Sequence, residues 1–119
     1  MEQSLLISQG LVQLCIIEMA RNNLGLAHNA LHQALILQDD LETRYHYGIT
    51  LLSLNKTEEA ARQFDRMLEQ VPDDPKILTE RGVIALGLGE NKQANAFFEA
   101  ALQSDPKYTR AASYLEKHG

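Results

Sequence analysis

His28 and His32 stand four positions apart, a spacing that puts two imidazoles on one face of a helix. Such a pair could share a metal ion, but a complete site needs further ligands. No Glu or Cys stands near them in sequence. The pair is read as two polar side chains on a solvated face, and no metal is expected. His46 and His118 are isolated. Cys15 is the one thiol of the chain and is read as a packing residue rather than a nucleophile. Asp39, Asp40 and Glu42, and further on Asp73 and Asp74, place carboxylates close together. They fall where helices begin, and helix N-termini favour such residues for capping. They are therefore read as caps and not as a general-acid pair. The stretch "ALGLGEN" has neither a preceding strand nor a Lys-Ser/Thr ending, so it is no phosphate loop. No catalytic residue and no cofactor is expected.

The elements that carry these residues come next. The 119 residues suit one domain, and a chain of this length buries roughly two-thirds of its unfolded surface without disulfide or metal. A net charge of −5 argues against a nucleic-acid backbone as partner, because phosphate binding needs a basic surface. One cysteine allows no intrachain disulfide and fits a reducing compartment, so a cytoplasmic location is expected. Between Gln3 and Ile17 no residue is charged. The start "MEQ" lacks the basic region of a signal peptide. The apolar run is shorter than the roughly 20 residues of a membrane span and is broken by Gln9 and Gln13. It is read as an apolar soluble helix, with no membrane partner.

A 34-residue period runs through the chain: Gly48 and Gly82, Ala60 and Ala94, Phe64 and Phe98, Leu68 and Leu102, Pro72 and Pro106 are each 34 apart. The apolar spacing inside each period is helical. In Thr57 to Gln70, Ala60, Phe64, Met67 and Leu68 form one stripe, with Thr57 read as the N-cap. Asp74 and Pro75 make a cap and a first helical residue. Gly87 and Gly89 break the helix that follows, and another covers about Asn91 to Ser104. Each unit is helix, tight turn, helix. The glycines let the two helices approach closely, and the phenylalanines fill the space between units. No helix pair can bury its stripe alone, so the units must stack.

A 34-residue unit with Gly, Ala, Phe, Ala/Leu and Pro at these offsets resembles the tetratricopeptide repeat family. The expected fold is all-α, a solenoid of three helix–turn–helix repeats plus a C-terminal capping helix, in a single domain over residues 1–119. Strong repeats are placed at 41–74 and 75–108. A weaker one is placed at about 8–40, with Ala27, Leu31, Ala34 and Leu35 in its second helix and Cys15 as the small residue. Glu18 stands there where an apolar residue is usual, and the Trp typical of the first helix is absent from the strong repeats. The capping helix is placed at about 109–118, with Ala111, Tyr114 and Leu115 facing inward.

The resemblance implies that first helices line a concave groove. The groove stripe is then Val12, Ile16 and Met19, then Tyr45, Ile49 and Leu52, then Thr79, Val83 and Leu86. The same residues could instead be buried against neighbouring helices. The chaperone-tail class of the family holds a terminal carboxylate with Lys, Arg and Asn, and none of these occupies the matching positions. The expected function is a non-catalytic interaction module, an adaptor or scaffold that binds an apolar peptide or helix of a protein partner. The alternatives are a small secretion-type chaperone and a structural self-assembly unit. A homodimer through Leu5, Leu6, Val12, Ile16 and Met19 is a further expectation.

Overall fold

Local chemistry sets the helix starts. Asp74 accepts hydrogen bonds from the amides of Lys76 (2.9 Å) and Ile77 (3.2 Å), and Pro75 supplies a fixed φ at the first helical position. Asp40 does the same for the next helix upstream, accepting from the Thr43 amide at 2.8 Å. Thr57, expected as a cap, is instead the first helical residue, and the Ala60 amide bonds back to the Lys56 carbonyl. A cap lies outside the helical dihedrals, so Thr57 has no capping role.

The computed structural model describes residues 2–118, apart from the side chains of residues 2, 4, 5 and 118. Every element among them is helical: α1 (Glu2–Ala20), α2 (Leu24–Leu37), α3 (Leu41–Ser53), α4 (Thr57–Gln70), α5 (Pro75–Gly87), α6 (Asn91–Ser104) and α7 (Thr109–His118). The fold is all-α and tetratricopeptide-like. α3, α5 and α7 open at Leu41, Pro75 and Thr109, each 34 positions after the last. The chain divides into two compact units, Met1–Gln63 and Phe64–Gly119, and the division falls inside α4.

In the first unit α2 packs between α1 and α3. Its core joins Val12 and Cys15 of α1 to Ala27, Ala30, Leu31 and Ala34 of α2, with Tyr47 of α3 packed against it. Small residues on α2 let the helices close. Glu18, polar where an apolar residue was expected, is buried, yet it is not unpaired. It accepts from the Asn23 amide nitrogen at 2.7 Å and lies 3.7 Å from the Arg21 guanidinium. These contacts close the α1–α2 turn, where Asn22 adopts a φ of 63°.

In the second unit α6 packs between α5 and α7. Phe98 is fully buried among Leu78, Ala85, Ala94, Ala101 and Ala111. A Cβ on Gly82 would stand 2.5 Å from Phe98 Cε1 and 2.9 Å from Cδ1 and Cζ. No real Cβ comes that close, and the buried ring has nowhere to go. Tyr114 of α7 stacks on Phe98, its ring 5.0 Å away and 5° from parallel. Arg110 of α7 pairs with the buried Glu80 of α5.

Gly82→Ala should therefore destabilise the protein by about 1–3 kcal/mol, read by urea denaturation. An unchanged midpoint would mean that Phe98 repacks freely. Deleting Thr109 to Gly119 removes Ala111, Tyr114 and Leu115 from the core and should cost roughly 2–4 kcal/mol. No fall in thermal midpoint would remove the capping role of α7.

Candidate partner-binding groove

The nine groove residues fall on α1, α3 and α5, the first helices of their pairs. On α1, Ile16 is 43% exposed. Met19 is partly buried against the first core, and its sulfur takes the Thr50 hydroxyl at 3.3 Å. Val12 is different: it is 8% exposed and belongs to that core. The cause is the turn of α1, which points Ser8, Val12 and Cys15 inward together. On α3, Tyr45, Ile49 and Leu52 are each half-buried, and Tyr45 sets its ring edge-on to His46. On α5, Val83 and Leu86 are half-buried and pack on the second core. Thr79 is fully buried, and its hydroxyl has no hydrogen-bond partner among the described residues. Val12 and Thr79 are thus corrected to interior positions, and the other seven keep a solvent-facing share.

The residues that could do chemistry are held by packing. Cys15 is fully buried, 3.6 Å from the Thr50 hydroxyl. Burial pushes its thiol pKa up, with the Thr50 bond pulling slightly back, which disfavours the reactive thiolate. The histidine pair was expected on a solvated face. His32 is exposed, but His28 is half-buried. Their rings are nearly parallel, 6.3 Å apart, and Tyr47 tilts against both. The Tyr47 hydroxyl lies 3.4 Å from His28 Nε2. Tyr47 is 19 positions from His28, so no local spacing could reveal this contact. Among the described residues no group of three or more His, Cys, Asp or Glu is placed to hold a metal ion.

Two hollows lie elsewhere. One of about 380 Å³ in the first unit is bordered by Gln9, Gly10 and Gln13 of α1 and by Asp40 and Glu42 at the start of α3. One of about 530 Å³ in the second unit is bordered by Leu78, Phe97 and Arg81, which bonds Asp65 at 2.8 Å and lies 5.0 Å from the Phe97 ring centre. Neither is lined by Ile49, Leu52, Val83 or Leu86. The sequence reading missed both, because each joins residues more than 15 positions apart.

The helix pairs and their period agree with a comparison of sequences. The tetratricopeptide repeat matches residues 16–75 and 47–109. The chain belongs to the tetratricopeptide repeat family. A mouse FK506-binding protein-like protein is 39% identical over 66 residues, which are 56% of this chain and 19% of that protein. The chain thus spans about a fifth of that relative. YrrB, described as a TPR protein with an unusual peptide-binding site, superposes with a TM-score of 0.85 at 22% identity, over 92% of this chain and 57% of YrrB. The Yersinia enterocolitica type III secretion chaperone SycD, in complex with a peptide of the translocator YopD, gives 0.82 at 16% identity, over 92% and 89%. At these identities the structural likeness concerns the fold. No helix among the described residues is long and apolar enough to cross a membrane.

Within this tetratricopeptide unit, His28 gives a testable pH dependence. Burial lowers its pKa below the ordinary histidine value, and the nearby Lys56 charge lowers it further. The unfolded chain then binds a proton at about pH 6.5, before the folded one does. Stability should fall as pH drops through about 6.5 toward the folded value, and His28 should add no pH dependence above that window. The slope of the urea midpoint against pH below 6.5 should be shallower in His28→Asn. An equal slope in both proteins would contradict the assignment.

Proposed function

We propose that this chain is a non-catalytic protein-interaction module that holds an apolar peptide or helix of a protein partner along its first helices. The observation that carries this reading is the half-exposed aliphatic side of those helices: Ile16 on α1, Ile49 and Leu52 on α3, Val83 and Leu86 on α5. Met19 and Tyr45 are half-buried on the same helices, whereas Val12 and Thr79 are interior. Aliphatic side chains offer no charge for a carboxylate, so the ligand is apolar. An extended segment or an amphipathic helix would cover such a stripe. Membership of the tetratricopeptide family and the peptide-bound state of SycD support the reading. The module acts as an adaptor or scaffold in the cytoplasm, and its partner is not nucleic acid, given the charge of −5.

A small secretion-type chaperone is the second reading. What favours it is that SycD matches this chain over nearly the full length of both. End-to-end structural assembly is disfavoured by the exposed Arg110, Glu116 and Lys117 of α7, since charge on an outer helix opposes stacking. Self-association through α1, as a homodimer, is part of the proposal.

The test is capture of partners by the wild-type chain beside Ile49→Asp and Ile16→Asp. Ile16 is the more exposed of the two, so its variant keeps the fold if Ile49→Asp does not; circular dichroism checks both. Loss of a bound protein by a folded variant supports the groove. Undiminished binding by both folded variants would move the partner to another face.

A further inference from the structure

Helix α1 is apolar on two opposite sides. One side, Ser8, Val12 and Cys15, is buried. On the other, Ile7, Leu14 and Ile17 are 53%, 44% and 50% exposed. Gly10 lies on the same side, and a Cβ there would meet nothing within 4 Å. A glycine in mid-helix weakens the helix. Gly82 is explained by a ring packed against it, whereas no side chain of this chain packs against Gly10. All large exposed apolar side chains among the described residues lie on α1 or α2.

Ile7, Gly10, Leu14 and Ile17 are spaced three, four and three apart, the alternation of three and four by which a heptad seam keeps facing a partner helix. We propose that this seam binds the same seam of a second copy, with the two α1 helices antiparallel and the two-fold axis level with Val12. That register sets Ile7 against Ile17 of the second copy. It also sets Gly10 against the second copy's Leu14, so each leucine enters the space that each glycine leaves. The seam is thus complementary to itself, as a two-fold interface requires.

Three further observations favour this occupant. No charge lies between Gln3 and Ile17, so nothing repels at close approach, and antiparallel helices align their dipoles favourably. A lipid surface fits poorly, because such helices carry Lys or Arg and α1 has neither. The exposed apolar area fits a weak, transient interface. At roughly 120 Å² per Leu or Ile side chain, Leu6, Ile7, Leu14 and Ile17 expose about 250 Å² per copy. The dimer is therefore reversible and concentration-dependent. The seam differs from the one expected earlier: Val12 and Met19 point inward, and the Leu5 side chain lies outside the described residues.

This deepens the proposal that α1 self-associates and is independent of the groove. Sedimentation velocity on the full chain, across a wide concentration range, should show a monomer–dimer equilibrium. Leu14→Asp should abolish the dimer with helicity unchanged, since the site is exposed. In a Cys15→Ser background, Gly10→Cys mixed with Leu14→Cys should form the mixed disulfide under mild oxidation, and so should Ile7→Cys with Ile17→Cys. Each single variant should cross-link to itself much less. A wild-type chain that stays monomeric overturns self-association through α1 altogether. A dimer that survives Leu14→Asp overturns this face. A dimer whose single variants link to themselves, as parallel helices would, overturns the register while leaving self-association standing.

Discussion

The ring of Phe98 occupies the space that a side chain on Gly82 would need. This contact sets how closely α5 and α6 pack, and the rest of the second unit follows from that distance. Because the helices are close, Ala85, Ala94 and Ala101 suffice to fill what lies around the ring, and each is fully buried. Larger side chains at those three positions would hold the helices apart. Because the ring is large, its far side reaches α7 and gives Tyr114 a surface to stack on. A small residue, a large one and a run of alanines form one packing solution. It recurs in sequence as Gly48, Ala60 and Phe64, and that recurrence is what a 34-residue period means physically.

The first unit meets the same requirement with different chemistry. Cys15 stands where the later helices carry glycine, and it is fully buried. Its sulfur, the Met19 sulfur and the His46 carbonyl all surround the Thr50 hydroxyl, at 3.6, 3.3 and 2.9 Å. A fully buried hydroxyl is costly without a partner, and here it bonds within its own helix while two soft sulfurs fill the remaining space. Glu18 follows similar logic, because Asn23 and Arg21 satisfy a carboxylate that the core alone would reject. Departures from the repeat pattern are therefore local substitutions whose polarity is matched nearby.

These differences explain what was legible in the sequence. The helices from Leu41 to Ser104 could be read because glycine, proline and capping aspartates mark their ends and one apolar stripe marks their inner face. Thr57 misled by one position, since a threonine before two glutamates has a cap's composition whether it is the cap or the first helical residue. Val12 and Thr79 were assigned to the groove by carrying a fixed offset along every first helix. That offset ignores how far each helix is turned, which depends on partners distant in sequence. The Tyr47–His28 contact and the Arg81 hollow were hidden for the same reason. Periodicity reports which side of a helix is apolar and says nothing of what lies opposite.

Helix α1 is where that limit has the largest effect. A helix that is apolar on two sides has no single stripe, so its pattern cannot say which side faces the core. Burial resolves the choice in favour of Ser8, Val12 and Cys15, and leaves Ile7, Leu14 and Ile17 in water. Compare α7, whose inner side holds Ala111 and Tyr114 and whose outer side carries Arg110, Ser113, Glu116 and Lys117. A helix needed only to close a core is built like α7, with a polar outer face that costs nothing in water. Leucine and isoleucine in the same place add nothing to the fold of the monomer and expose apolar surface. The composition of α1 therefore answers a second requirement besides its own core. The glycine among those residues indicates that the requirement is one of shape as well as of hydrophobicity, because hydrophobicity alone would be better served by any larger side chain.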